Sequence, residues 1–557
     1  MSGLTVSDYL LQRLNEIGID HLFGVPGDFN LGFLDRVIAH PRLAWVGCAN
    51  ELNAAYAADG YARSGRPAAL LTTFGVGELS AINGIAGSYA EYLPVIHIVG
   101  APSLAAQQRG DLIHHSLGDG DFGHFLRMQR EVTVAQATLT AENACAEIDR
   151  VIREALTQRR PGYLLLPVDV ASVPACAPTQ PLTVQMLPDA QALEDFRRAA
   201  DALLAGARSV SLLADFLADR FGAQQQLAHW LEAVPLPHAT LLMGKGVLDE
   251  QRPGFAGTYA GEGCAVETRR VIEQADVILT IGVRFTDTIT VGFTQQIEAA
   301  KTIDVQPFSV TVAGKRFDSL PMATVIAELQ QLCQRYAAHW TLNHCQPAPL
   351  ATCDQPGLTQ NAFWQALQAF LQPGDLIVAE QGTAAFGAAA LRLPSGAMLV
   401  VQPLWGSIGY TLPAAFGAQT AEPERRVILL IGDGSAQLTV QELSSMMRDN
   451  LKPLIFILNN DGYTVERAIN GADQRYNDIA AWNWTQIPQA LSTACPAQSW
   501  RVLETVQLTE VMKLIADARR LSLVEVVLPR LDMPPLLQQV SASLHQQIGR
   551  ASCRERV

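Results

Sequence analysis

The stretch Arg426–Tyr463, "RVILLIGDGSAQLTVQELSSMMRDNLKPLIFILNNDGY", decides the fold of this 557-residue chain. "VILLI" is an unbroken apolar run of strand length, and "PLIFIL" is a second. A run apolar at every position predicts a strand covered on both faces, as in a parallel sheet. Between the two, "TVQELSSMMRDN" reads as a helix, so the stretch is one strand–helix–strand unit. Its polar residues gather at the strand ends: Gly432, Asp433, Gly434 and Ser435 after the first strand, Asn459 and Asn460 after the second. Ligands of open parallel sheets bind beyond the carboxyl ends of strands, so the two clusters are expected side by side. Asp433 offers a carboxylate oxygen, Asn460 an amide oxygen and Gly462 a main-chain carbonyl. That donor set suits Mg2+, which takes oxygen ligands and often shares its site with phosphates. The glycines let main chain approach a phosphate, and backbone N–H groups at a helix start bind anions.

The same alternation runs through the chain. "PAALLTTFG", "LPVIHIVGA" and "GYLLLPVDV" are strand-like in the first third, "SVSLLADF", "ADVILTIGV" and "AKTIDVQP" in the middle. "GDLIVAEQG", "AMLVVQPLW" and "LSLVEVVLP" join the opening stretch in the last part. Apolar strands separated by amphipathic helices define an α/β class: three domains, each a mostly parallel sheet flanked by helices. Proline-rich segments at 173–191 and 344–360 are the expected linkers, which places the domains at 1–180, 190–342 and 356–547. Whether the first and third share one fold is left open by the pattern. The last ten residues, 548–557 ("IGRASCRERV"), match the translation of a common sequencing-adapter read and are expected to be a non-native tail, Cys553 included.

Composition narrows the function. Forty Lys and Arg against 54 Asp and Glu give a net charge of -14, and no basic run stands out, so a nucleic-acid surface is not expected. No stretch of eighteen apolar residues suggests a membrane span. The N-terminus lacks a charged region followed by an apolar one and reads instead as a helix with Leu10, Leu14 and Ile17 on one face, stopped at Gly18. Nine scattered cysteines without a C-x-x-C pair suggest neither a disulfide framework nor a zinc site, and reduced thiols in a cytoplasmic protein are the expectation.

The spacing from Gly432 to Asn460 resembles that of thiamine-diphosphate enzymes, and the resemblance extends from "HLFGVPGD" to "LPRLDMPPLL". "AWVGCANELNAAYAADGYAR" supplies Glu51 at the start of an Ala-rich helix, "FGVPGDFN" supplies Asp28, and "DLIHHSLGDGDFGHF" supplies His114 and His115. "NDGYTVERAING" adds Glu466. Together these resemble the 2-keto acid decarboxylases, which include pyruvate, indolepyruvate and phenylpyruvate decarboxylases. Acetohydroxyacid synthases share the thiamine motifs and lack the His pair. "VGCANELNAAYAADGYAR", "LLTTFGVGELSAINGIAGSYAE" and "GVRFTDTIT" look most like the indolepyruvate type. "LTTFGVGELS" carries Gly75 and Gly77 but lacks the third glycine of a dinucleotide fingerprint, so no nicotinamide site is read there. A second "GDG", Gly118 to Gly120, has no polar partner cluster and is expected to be a turn that shapes the His-bearing segment.

The resemblance implies thiamine-binding folds in the first and third domains, with thiamine diphosphate and Mg2+ as cofactors. Glu51 would hydrogen-bond the pyrimidine ring and promote loss of the thiazolium proton. Thr383 and Ser435, with Gly432 and Gly434, would contact the diphosphate. The Gly406 carbonyl would hold the pyrimidine amino group, and Ile408 and Val465 would pack on the cofactor. Asp433, Asn460 and the Gly462 carbonyl would ligate the metal. Glu466 would sit by the substrate carboxylate, and Asp28 and His115, with His114 close by, would handle protons. The resemblance further implies a substrate pocket of Thr288, Gln381, Ala385, Phe386, Val465, Ile469 and Val540. Small Ala385 with Thr288 argues for room, which favours indole-3-pyruvate going to indole-3-acetaldehyde and CO2, a step toward indole-3-acetic acid; phenylpyruvate and branched 2-keto acids stay open. A homodimer is the implied minimal unit and a homotetramer the typical one, with no nucleic-acid or membrane partner. A carboligase of the acetolactate synthase kind and a non-catalytic thiamine-binding homologue are the rival readings.

Overall fold

A computed structural model describes residues 3–341, 345–350, 357–494 and 497–554, with side chains described as far as residue 546. Three sheets organise it. The first comprises β1 (His21–Gly24), β2 (Ala44–Gly47), β3 (Ala68–Thr73), β4 (Val95–Ala101), β5 (Ala135–Thr138) and β6 (Gly162–Pro167), in the order β2-β1-β3-β4-β6-β5 and parallel throughout. The second comprises β7 (Val210–Ala214), β8 (His238–Thr240), β9 (Phe255–Thr258), β10 (Val277–Ile281), β11 (Thr302–Gln306), β12 (Ser309–Val312) and β13 (Lys315–Asp318). The third comprises β14 (Leu376–Ala379), β15 (Met398–Val400), β16 (Val427–Gly432), β17 (Leu454–Asn459), β18 (Gln498–Val502) and β19 (Ser522–Val527), in the order β15-β14-β16-β17-β19-β18.

Strand for strand, the first and third sheets have one order and are parallel throughout, so the question the sequence pattern left open is answered by topology. Their central strands β3, β4, β16 and β17 are buried at nearly every position, as continuous apolar runs require. The second sheet departs from the parallel expectation at its edge, where β12 and β13 run antiparallel. The cause is loop length. Only Ala313 and Gly314 join β12 to β13, both with positive φ (47° and 83°), and a two-residue turn of that kind connects antiparallel neighbours alone.

By packing, the three sheet-bearing domains fall into two compact units. One contains residues up to Gln185, then Gly409–Glu424 and Thr439–Leu451; the other contains Met186–Ile408, Arg425–Leu438 and everything from Lys452 on. The first sheet lies in the first unit and the other two in the second. The helices Thr411–Ala421 and Glu442–Arg448, expected within a 356–547 domain, thus belong to the first unit's packing. In that unit the Ala-rich helix Glu51–Ala62 crosses Thr411–Ala421 at backbone contact: a Cβ on Gly417 would stand 1.7 Å from Ala57 O, and one on Gly60 2.0 Å from Ala414 O. The "DGY" and "AFGAQ" glycines are what the crossing needs. Arg63, at the end of the Ala-rich helix, is closed in by Asp59 (2.8 Å) and Glu91 (2.6 Å), all buried.

The helix that follows Pro534 runs Pro535–Arg554, so its backbone stays helical past residue 547; the side chains that would bear on the tail reading lie outside those described. No described helix is long and apolar enough to cross a membrane.

Candidate functional site

Each unit carries one polar cluster at the carboxyl ends of its parallel strands. In the second unit β16 and β17 are neighbours, with Gly432 opposite Leu458, so the GDG and Asn-Asn clusters stand side by side as the spacing predicts. The helix Asp433–Thr439 starts on the aspartate itself, ahead of the helix expected over 439–450, which spans Glu442–Arg448. Gln381, Gly382, Thr383, Ala384, Gly406 and Ile408 form one wall of the cavity here. Gly432, Asp433, Gly434, Ser435, Asn460, Gly462, Tyr463, Thr464, Val465 and Glu466 form the other.

The hydrogen bonds in this cavity bear on how its oxygens are turned. Gly462 N–H donates to Asp433 Oδ2 (3.1 Å). Thr464 Oγ1 donates to Arg530 O (2.9 Å), and a hydroxyl has one proton. Thr464 therefore meets the Asn460 amide, 2.9 Å away, as an acceptor and draws the amide nitrogen to itself. The Asn460 oxygen then stands 3.0 Å from Gly462 O and 3.3 Å from Asp433 Oδ1, three acceptors with no proton among them. Oxygens that share an octahedral Mg2+ lie about 3.0 Å apart, so a cation held by these three atoms would be compatible with the separations seen. The opposite amide orientation would satisfy the atoms without a metal, but it needs the Thr464 proton that Arg530 O already holds. Burial pushes the Asp433 carboxyl up to about 6, and a divalent cation beside it would pull it down. The residues present thus fit a magnesium–diphosphate group. At the rim, neighbouring atoms that displace water push the Glu466 carboxyl above the ordinary range.

Of the residues expected around the substrate, Gln381 and Val465 line this cavity and the rest do not. Phe386 and Val540 are buried beside Val291 and Leu537, in an apolar cluster against which Val465 packs. Ile469 lines a separate surface cleft with Met533 and His545. Ala385 is fully buried, and Thr288 Oγ1 is directed toward Pro403 O (3.5 Å). The expected positions fall on the helices Thr383–Ala388, Thr464–Asn470 and Pro535–Arg554 and on neighbouring loops, and a helix turns successive side chains to different faces. Ala384, Tyr463 and Thr464 are cavity residues the sequence reading missed, although each is adjacent to a residue it named.

In the first unit Asp28 follows β1, Glu51 opens the helix after β2, and the His pair lies between the helices Leu104–Arg109 and His124–Gln129. His114 Nε2 is 2.7 Å from Asp28 Oδ2, and His115 Nε2 is 3.9 Å from Asp28 Oδ1. Phe29, unnoticed in the sequence, stacks on the His114 ring at 4.9 Å between centroids. The fold therefore unites Asp28, His114 and His115, as expected. The cap of the Glu51 helix is fixed from both sides. Asn50 Oδ1 accepts from Asn53 N–H (2.8 Å), while buried Glu442 Oε2 accepts from Asn53 Nδ2 (2.8 Å) and Ala49 N–H (3.2 Å). The second GDG is a turn: Gly118 and Gly120 have φ of 74° and 82°, and Asp119 pairs with His124 Nε2 (2.7 Å) and not with a metal cluster.

This pairing of a duplicated parallel sheet with an oxygen-lined cavity at its strand ends points to a class. The chain belongs to the thiamine pyrophosphate enzyme family: residues 4–121 match its N-terminal TPP binding domain, 197–332 its central domain and 381–526 its C-terminal TPP binding domain. Thiamine diphosphate is the cofactor this membership implies. The chain is 50% identical over 548 residues to a protein named alpha-keto-acid decarboxylase from Mycobacterium ulcerans (strain Agy99), covering 97% of this chain and 96% of the relative. It is equally similar (50% over 543 residues, 96% of each chain) to the protein of that name from Mycolicibacterium paratuberculosis. The Mycobacterium tuberculosis H37Rv protein of that name is 49% identical over 558 residues, 98% of each chain.

Proposed function

We propose that this protein is a thiamine-diphosphate- and Mg2+-dependent 2-keto acid decarboxylase whose preferred substrate is indole-3-pyruvate, released as indole-3-acetaldehyde and CO2. The observation that carries the reaction class is the Asp28–His114–His115 cluster in a chain that also has Glu51 and the Asp433–Asn460–Gly462 set. A carboligase has no use for two imidazoles beside a carboxylate, whereas a decarboxylase must deliver a proton to the carbon that CO2 leaves. The names of the relatives agree with that class.

When bound, thiamine diphosphate supplies the electron sink for the carboxylate's electrons. The chain's own residues do the rest. Asp433, Asn460 and the Gly462 carbonyl hold the metal, and Thr383 and Ser435 hold diphosphate oxygens. Glu51 holds a proton against the pyrimidine ring. Glu466, its carboxyl raised by burial, would stand beside the substrate carboxylate. His114 and Asp28 share a proton that can reach the product carbon, with His115 adjacent. Two copies of the chain, each lending Glu51 to the cofactor held by the other, form the proposed minimal unit.

Support for an aromatic substrate is the apolar wall. Val465 faces the cavity, backed by the buried cluster of Phe386, Leu537 and Val540, so a ring placed there would meet the Val465 methyls. Burying such a ring yields ~25 cal/mol per Å2 of apolar surface. The test is kcat/KM for indole-3-pyruvate, phenylpyruvate, 4-methyl-2-oxopentanoate and pyruvate. The indole substrate is expected to lead by about 10-fold or more over pyruvate, the scale a few apolar contacts provide. A preference for pyruvate would overturn the substrate assignment and leave the reaction class standing.

A further inference from the structure

The turn "TFGVGE", Thr73 to Glu78, joins β3 to the helix Val76–Ala90 and has no part in the chemistry above. It is nevertheless where the proton-handling groups of the first unit meet. Gly75 has φ +66°, and a Cβ there would stand 2.0 Å from His115 O, so the His115 main chain rests directly on it. A Cβ on Gly77 would stand 3.2 Å from Glu51 Oε1. One on Gly27, the residue before Asp28, would stand 2.5 Å from Thr73 Cβ. His115 itself has φ +67°, a conformation that a non-glycine residue keeps only where its surroundings hold it.

What holds the turn is Glu78. Its side chain is fully buried; Oε1 accepts from Gly75 N–H (2.9 Å) and Oε2 from the Tyr163 hydroxyl (2.8 Å) on β6. Gln129 Nε2 secures the Glu78 main-chain oxygen (3.2 Å), and Phe74 packs edge-on against Phe125 at 5.0 Å. Burial pushes this carboxyl up to about 7, so placing it here works against folding stability. A residue retained at that cost points to a demand other than capping a helix.

We propose that Glu78 is a positioning residue: through Gly75 it sets the place of the His115 main chain, and with it the Asp28–His114–His115 cluster, relative to Glu51. Tyr163 is the outer brace of the same device. The inference rests on the assignment of those groups to proton transfer made above.

Three variants test it: Glu78→Leu removes both hydrogen bonds, Glu78→Gln keeps an acceptor for Gly75 N–H, and Tyr163→Phe removes the brace alone. The first readout is hydrogen–deuterium exchange in the cofactor-free protein. Glu78→Leu is expected to raise exchange over residues 112–118 by about 10-fold while β3 and β4 stay protected, and Glu78→Gln to raise it by less than about 3-fold. The second readout is turnover. Glu78→Leu is expected to lower kcat by about 10-fold or more with KM within about 3-fold, and Glu78→Gln to restore most of it. If Glu78→Leu does not fold, Tyr163→Phe decides, with an expected rise in exchange of about 3-fold over the same segment. Unchanged exchange at 112–118 in a folded Glu78→Leu or Tyr163→Phe protein would overturn the proposal, as would Glu78→Gln behaving like Glu78→Leu. A wild-type protein that decarboxylates nothing would instead overturn the proposed function, and the exchange readout would still report on the positioning.

Discussion

At the scale of single residues, the destination of one proton orders the metal site. Thr464 gives its hydroxyl proton to Arg530 O and so turns the Asn460 amide oxygen toward Asp433 and Gly462. Thr464→Val removes the acceptor that holds the amide nitrogen, and the amide is then free to turn its nitrogen inward. Loss of such a supporting partner is expected to weaken Mg2+-dependent binding of thiamine diphosphate by about 10–100-fold, measured by titration of the metal-free protein. Binding unchanged within experimental error would mean that the amide is oriented by something else. That Asp433, Asn460 and Gly462 are neighbours was legible in the sequence because they lie on one strand–helix–strand unit, where order along the chain fixes neighbours in space. Thr464 was not, since its role depends on a carbonyl 66 residues away. That Ala385, Thr288 and Ile469 do not line this cavity was hidden for a related reason, since side-chain direction within a helix or loop is settled by tertiary packing.

At the scale of elements, the crossing of Glu51–Ala62 on Thr411–Ala421 fixes the helix that begins with Glu51. Gly417→Ala would drive a methyl into the Ala57 carbonyl, and overpacking of this kind costs about 1–3 kcal/mol. The expected result is a lowered Tm together with weaker activity; an unchanged Tm would show that the crossing has slack. The sequence displays both small-residue helices but not their pairing, which joins distant segments. The strand order was hidden for the same reason, whereas the parallel class was legible from unbroken apolar runs. Only the β12–β13 edge escaped that reading, because two residues of turn outweigh any apolar pattern.

The β3 turn makes a pH prediction at the same scale. Burial raises the Glu78 carboxyl from 4.5 to about 7, so between those values the folded chain keeps a proton that the unfolded chain releases. Its contribution is therefore most favourable below about pH 4.5 and declines as pH rises to about 7, by roughly 3 kcal/mol in all. Glu78→Gln removes the decline. The Tm of the variant is expected to gain on that of wild type from pH 5 to pH 8; a constant difference across that range would mean that the carboxyl titrates normally.

At the scale of the whole molecule, the second unit holds two sheets together around one buried ion pair. Lys245 Nζ, fully buried, donates to Glu250 Oε1 (2.9 Å), Thr258 Oγ1 (3.0 Å) and Leu391 O (2.8 Å), and Glu250 Oε2 accepts from Leu393 N–H (2.8 Å). Lys245→Met strands a buried carboxylate and is expected to cost about 3–5 kcal/mol, read as a fall in Tm, while Lys245→Met with Glu250→Leu recovers a large part. A single variant as stable as wild type would contradict the pairing. Glu51 and the His cluster belong to the first unit, and Asp433, Asn460 and Gly462 to the second.

The most direct test is the product balance of the protein reconstituted with thiamine diphosphate and Mg2+ and supplied with indole-3-pyruvate, for wild type and Glu51→Gln in parallel. The wild-type protein is expected to release CO2 and indole-3-acetaldehyde in equal amounts, and the variant to bind the cofactor while turnover is abolished. A carboligation product in place of the aldehyde, or full turnover by Glu51→Gln, would contradict the account.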